Sequence, residues 1–487
     1  MSVTTVAVVS QRPPTWPTYA GPMRRAVFAI VPLLALGGCQ IPAEAPAPPA
    51  PEPSSTDSSD TGASDEPDAP QSAASFCDEF DPSTLDWFEL GLGDPSTIST
   101  ERGIELQVQR GDLPPSSAER YNTLVEVCPG FHLATTFDGQ TALIALDEDR
   151  YAPTSALTPA GELGGVGAPG VVAGGPTWGF RDSVIAGDWL YLSDGIVDTA
   201  RQCVSVGVHR VDVESVLTGQ SSSTDVIYRS EPCVSYTDDY RAQAPLKVHL
   251  GGALAYRASI DELYLSIGDL HMGASRISQA EAVGIDNLER DYAVLGDPEA
   301  AVSAVVAIAD PSAAPAARII AKGLRNSLGM TIVATDRLWL TDHGPQGGDE
   351  LNLIEEGSDY GWPLTSTGAP YDRSSYGDPD SLPAPWLDIE NADIPGTTAP
   401  ARDWSPAIAP TAIVQYPESA SGIEGWAGDL VIASLRAQSL VHLSLTVQST
   451  IEEDRLQLGE RLRDMVVTDD GRLVAVTDSS RLVVVGS

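Results

Sequence analysis

Residues 323–363 read GLRNSLGMTIVATDRLWLTDHGPQGGDELNLIEEGSDYGWP: two apolar runs around a turn, then a polar loop in which His343, Gly344, Pro345, Asp349 and Glu350 crowd together before LNLI. Apolar runs this short, bounded by Gly and Asp, predict strands rather than helices. The glycines of the loop let a backbone approach a ligand closely. Carbonyls exposed by such a turn suit a hard cation, and carboxylates beside them suit its water ligands. Arg325 is a fixed cation and Asn326 a two-way hydrogen bonder, a pair fitted to an anionic ligand.

One piece of this stretch recurs along the chain as a turn with Asp or Gly, an apolar strand, and a Ser, Thr or Asp near its end. The copies are FDGQTALIAL at Phe137, GDWLYLSD at Gly187, IDELYLSIGD at Ile260, TDRLWLTD at Thr335, AGDLVIAS at Ala427 and DGRLVAVTD at Asp470. A mean spacing of roughly 65 residues suits a four-stranded propeller blade with long loops, and a pair of β-sandwiches is the competing reading. In a propeller the apolar C-terminus RLVVVGS, from Arg481, would close the ring against the first blade. The 44 glycines and 38 prolines argue against long helices, leaving short candidates such as 278–283.

With 28 Lys+Arg against 68 Asp+Glu, the formal charge is -40, which repels nucleic acid and anionic lipid and reads as a solvated acidic surface. From Met23 the chain reads MRRAVFAIVPLLALGGCQ, the layout of an export signal whose apolar run is too short to span a bilayer. The tetrapeptide LGGC ending at Cys39 resembles a bacterial lipobox. It implies lipidation of Cys39, a cell-envelope location and membrane contact through the anchor alone, and Gln40 resembles the signal for an outer membrane. Residues 1–22 then lie upstream of the signal, with Met23 as an alternative start. Residues 40–75 are rich in Pro, Ala, Ser and acids, and read as a disordered tether ahead of a domain over 76–487. Four cysteines follow, Cys77, Cys128, Cys203 and Cys233, an even number behind an export signal. They predict two disulfides in any of three pairings.

The stretch 323–363 resembles the glucose/sorbosone dehydrogenase family, whose members read G-x-R-N-P-x-G, G-P-x-x-x-D-E-x-N-L and G-x-N-Y-G-W-P. Further marks follow in order from about residue 187 to the C-terminus: HLGGAL with His249, SIGD with Asp269, WSPAIAP from Trp404, GDLVIASLR with Arg436, and RLRD with Arg461 and Arg463. The resemblance implies an all-β, six-bladed β-propeller that binds pyrroloquinoline quinone (PQQ) and Ca²⁺ at one mouth and oxidises aldoses to lactones. It implies His249 as general base with Asp269 orienting it. Arg325, Asn326, Arg436, Arg461 and Arg463 would hold the quinone, the Gly344 and Pro345 carbonyls the cation with Asp349 behind them, and Trp404 would face substrate. The electron acceptor is left open.

Two departures bear on substrate binding: Ala253 stands where the family's G-G-R-L has its basic residue, and residues 161–175 only echo a G-Q-G-G-L segment. The rival expectation is a cofactor-free propeller that binds a sugar or protein ligand on the same face.

Overall fold

The computed structural model describes residues 75–487 apart from 115–119, 160–178, 220–222, 236–248, 273–290, 292, 346, 369–395, 419–421 and 446–450. Cys39, the tether up to residue 74, the short helix candidate at 278–283 and the glycine-rich echo at 161–175 all lie outside the described residues.

Six sheets of four to six strands form the blades, antiparallel apart from one short parallel edge pair in each of the second and third. Their inner strands are Tyr121–Cys128, Asp182–Ala186, Gly251–Arg257, Ser327–Ile332, Pro410–Gln415 and Leu462–Val467. Each contacts the next, and the sixth contacts the first, so the ring is closed. Closure comes from both ends of the chain. The last strand, Arg481–Gly486, pairs antiparallel with Glu105–Asp112, so the sixth blade takes its outer strands from the N-terminal side. The expected role of the C-terminus is therefore observed, and a two-sandwich arrangement is excluded.

Five of the six sequence copies lie on the second strand of blades 2 to 6. The first copy was placed one strand too far along: FDGQTALIAL covers Thr141–Ala145, the third strand of blade 1, whose second strand is Phe131–Thr136. The error has a physical cause, because neighbouring strands of one blade share the same turn-then-apolar pattern.

Apolar side chains on adjoining blades pack face to face. Ala253 and Tyr264 of the third blade meet Met330 and Leu340 of the fourth, all buried. Ala253 thus fills core rather than reaching the mouth. Full burial of each such Leu or Val is worth about 1.5–3 kcal/mol.

A polar stitch also crosses every inner-strand boundary, so that few buried backbone groups at the seams go unpaired. Around the ring, Leu124 N donates to Asp464, Asn122 to the Phe180 and Arg181 carbonyls, and Leu254 N to Asp182. Ser266 donates to the Ser327 carbonyl, His343 to that of Pro410 and Thr411 to that of Leu462. Two disulfides, Cys77–Cys128 and Cys203–Cys233, settle the pairing as sequential. The first ties the chain before the ring to blade 1, and the second pins a short strand to blade 2.

Candidate active site at one mouth of the propeller

Inner strands begin and second strands end at the same end of each blade, and there the side chains singled out by sequence are found. His249 precedes the inner strand of blade 3, Arg325 and Asn326 that of blade 4, and Arg461 that of blade 6. Asp269 and Asp478 follow the second strands of blades 3 and 6.

His249 Nδ1 lies 2.9 Å from Asp269 Oδ1, and its Nε2 lies 3.3 Å from Arg325 Nη2. A carboxylate on one nitrogen and a guanidinium on the other assign the proton to Nδ1 and leave the Nε2 lone pair free of hydrogen. Burial lowers the His249 pKa, and the Arg325 cation lowers it further against the pull of Asp269. The imidazole is therefore neutral at neutral pH, with 15% of its side chain exposed. Asp269 is fully buried. Burial alone would raise its pKa, but the attraction and hydrogen bond of His249, with Arg325 and His271, hold it at about 2. Trp362 Nε1 donates to its other oxygen at 2.9 Å, and the His271 backbone N–H donates to Oδ1 at 2.8 Å. Gly268 sits so close to the His249 carbonyl that any side chain would strike it, which locks Asp269 beside the imidazole.

Arg325 is held from three sides. Its backbone N–H donates to Asp342, its Nη1 to the His343 and Gly344 carbonyls at 3.0 and 2.9 Å, and its guanidinium stands 5.4 Å from the Trp362 ring centre. Its Nε is buried without a hydrogen-bond acceptor among the described residues. Asn326 bonds Asp342 through its backbone, accepts from Gly251 N and faces His343 Nδ1 at 3.5 Å. Asp349 accepts from Gly344 N at 3.0 Å and from Ala409 N at 2.6 Å, which makes it the brace of the 343–349 loop. At Gly344 a side chain would run into the backbone of Gly347 and Gly348, so the turn requires glycine.

The arginines of the sixth blade meet at Asp478. Arg461 Nε donates to it at 2.6 Å, Arg463 bonds its other oxygen, and Arg120 stands 3.1 Å away. These cations outweigh burial and hold the Asp478 carboxyl below its usual range. A run of contacts joins the two clusters along the rim: His249 to Arg325, Arg325 to Gly344, Gly344 to Asp349, Asp349 to Ala409, Ala409 to Leu435, Leu435 to Arg461. Arg436 lies on the same rim, exposed, with its backbone bonded to Ile408.

Trp404 departs from expectation. It is 3% exposed, packs in the core between blades 4 and 5 and donates Nε1 to Glu453, so its ring has no face for a sugar. Trp362 is likewise buried, but its Nε1 donates to Asp269. Asp342 and Asp478 were also missed. Both are the terminal Asp of a repeat copy, as is Asp269, so the acidic end of the repeat was a usable signal for the mouth.

Calcium and quinone can be tested against these donors. The buried Nε of Arg325 and the guanidiniums of Arg461 and Arg463 fit an anionic, oxygen-rich ligand. For a cation the fit is narrower. The loop offers carbonyl oxygens, that of Gly344 already accepting from Arg325, and no cluster of three or more His, Cys, Asp or Glu side chains suited to a metal occurs among the described residues.

A six-bladed ring with a buried histidine–carboxylate pair and an arginine cluster at one mouth defines the class of fold and site. The chain belongs to the glucose/sorbosone dehydrogenase family, whose model matches residues 167–484. An aldose sugar dehydrogenase of Escherichia coli (strain K12) is 30% identical over 167 residues, 34% of this chain and 42% of that protein. The matched stretches span about two fifths of the length of such curated relatives. Among solved structures, the soluble aldose sugar dehydrogenase of E. coli in its apo form superposes with a TM-score of 0.56 at 22% identity, over 78% of this chain and 99% of that one. The PQQ-bound aldose sugar dehydrogenase of Streptomyces coelicolor gives 0.50 at 17% identity, over 78% and 98%. Both likenesses are to the fold.

Proposed function

We propose that the protein is an oxidoreductase that oxidises aldoses to lactones with PQQ and Ca²⁺, with His249 as general base. The observation that carries this reading is His249 with its Nδ1 on a buried Asp269 and its Nε2 turned toward Arg325 at the mouth. When bound, the quinone supplies the two-electron hydride acceptor. Every other part falls to this chain. His249 Nε2 takes the proton of the sugar C1 hydroxyl as the hydride departs from C1. Asp269 fixes the tautomer and stabilises the imidazolium. Trp362 fixes Asp269. Arg325, Asn326, Arg436, Arg461 and Arg463 would hold the quinone carboxylates and carbonyls, and the Gly344 and Pro345 carbonyls would hold the cation, with Asp349 bracing their loop.

Purified protein given PQQ and Ca²⁺ should gain a bound-quinone spectrum and reduce dye with aldoses. Failure of both would leave the cofactor-free binding propeller. Arg461→Ala should weaken quinone binding about tenfold or more while kcat at saturating quinone changes little, because it removes a charge-assisted contact rather than a proton acceptor. A quinone titration monitored by absorbance checks it. An unchanged midpoint would remove Arg461 from the site.

We further propose export and lipidation at Cys39, on the strength of the LGGC tetrapeptide behind an apolar run. Wild type should partition into detergent and Cys39→Ser should not. Equal partition of the two would sink the anchor.

A further inference from the structure

Directly after Asp269 the backbone does something costly. Leu270 and His271 both have positive φ, 46° and 69°, a region that side chains other than glycine enter at a penalty. Two such residues in succession persist only where surrounding contacts enforce them, and strain of this kind gathers at functional sites. The enforcing contacts are in place. Leu270 N donates to the His249 carbonyl at 3.0 Å, His271 N to the Asp269 carboxylate at 2.8 Å, and Met272 N to the Asp269 carbonyl at 2.8 Å. Leu270 and Met272 are buried, whereas His271 keeps partial exposure. The outcome is that the His271 ring stands edge-on to His249, with centroids 4.9 Å apart and planes at 62°.

We infer that His271 is a positioning residue for His249, its ring acting as a wall that fixes the imidazole plane between Asp269 and Arg325. The inference rests on the reading of His249 as the base and extends it to a residue in no family motif quoted above. The physical argument concerns rotation about the Cβ–ring bond. A terminal sp³–sp² torsion has a broad well, so one hydrogen bond at Nδ1 holds the ring's position better than its plane. Arg325, at 3.3 Å, is a loose partner on the other side. The close T-shaped contact between the two rings restricts what the hydrogen bonds leave free, in a geometry that ring pairs favour. Asn or Gly at 271 would relieve the backbone, yet neither supplies a ring.

The test uses His271→Ala, His271→Phe and His271→Asn in the full chain, with two readouts. In dye reduction with PQQ and Ca²⁺, Ala and Asn should lower kcat roughly tenfold to a hundredfold, the range expected when a reacting group is misplaced by about 1 Å. Quinone affinity should stay as in wild type, and Phe should recover most of the loss. In protein without quinone, the downfield NMR signal of the His249 Nδ1 proton should broaden or vanish in Ala and Asn and persist in Phe. Asn keeps the left-handed turn accessible, so a loss in Asn cannot be ascribed to a disrupted backbone. Wild-type kcat and a sharp signal in Ala would overturn the inference, as would Phe behaving like Ala. Should wild type oxidise no aldose, the NMR comparison still decides the positioning role, and only the catalytic reading falls.

Discussion

His249→Gln should lower aldose turnover by about a hundredfold or more, the usual cost of removing a general base, with quinone binding nearly unchanged. Glutamine can still donate toward Asp269 and accept from Arg325, so the hydrogen-bonded frame is kept. What it lacks is a nitrogen basic enough to take the hydroxyl proton. The pH dependence adds a second mark. A base must be unprotonated, and burial with Arg325 lowers the His249 pKa below its ordinary 6.5. The acid limb of kcat/KM should therefore fall below pH 6.5 and disappear in His249→Gln. Steady-state dye reduction across pH 4.5–8 with several aldoses, beside a quinone titration, separates base loss from cofactor loss. Retained turnover would remove His249 from the chemistry. A loss confined to quinone affinity would make it a cofactor ligand instead.

The sequence carried the fold unevenly, for reasons that lie in particular strands. Second strands of blades 2 to 6 were legible because each is a short apolar run with an acidic or hydroxylic end. Blade 1 slipped by one strand because FHLATT and TALIA share that pattern. Asp269 was found through its place after SIGD, whereas Asp342 and Asp478 end equivalent copies and were passed over. Their role depends on the partners that folding gathers around them at the rim. Asp478 gathers Arg461, Arg463 and Arg120, the last from over 350 residues away in sequence. Trp404 and Trp362 were indistinguishable as sequence. The difference between them is one of placement, since Trp404 lies on an outer strand and Trp362 on a loop that folds back onto Asp269. Asp269 also shows why burial alone is a poor guide to charge. It is among the most enclosed of the described carboxyls and remains ionised because His249, with Arg325 and His271, outweighs its burial.

Asp464→Asn should gain stability relative to wild type as pH rises from about 4.5 to 8, because the buried carboxyl that it replaces is raised well above its usual range and shares the channel with Asp182, raised to about 7. Asp182 and Asp464 sit on the inner strands of blades 2 and 6, and both line the central channel, a cavity of about 260 Å³. Each accepts two backbone N–H groups, Leu254 and Ser183 for Asp182, Leu124 and Met465 for Asp464. These bonds favour the ionised forms. Burial outweighs them, raising Asp182 to about 7 and Asp464 well above its ordinary value, with the charge of Asp182 adding to the rise. Tyr256, the other titratable side chain lining the channel, is engaged by Asp261 and stays protonated. A carboxyl whose folded pKa exceeds its unfolded value binds its proton more tightly in the folded state. Its stabilising effect is therefore complete at low pH and is lost as pH rises through the folded pKa. Asp269 and Asp478 work in the opposite sense, but their depressed values confine that effect to more acidic conditions. His132, His249, His343 and His442, whose pKa values are lowered chiefly by burial, work against the channel pair below about pH 6.5, so the pair is read from the difference between wild type and variant. Asn resembles the protonated acid and removes one of the two charges, so Asp464→Asn should melt higher than wild type at pH 8, by a margin that shrinks as pH falls toward 5. Thermal melts of both proteins at constant ionic strength measure it. Parallel curves would show that the two carboxyls do not share the channel as a coupled pair, and a lower melting temperature for the variant at pH 8 would show that Asp464 is needed as an anion.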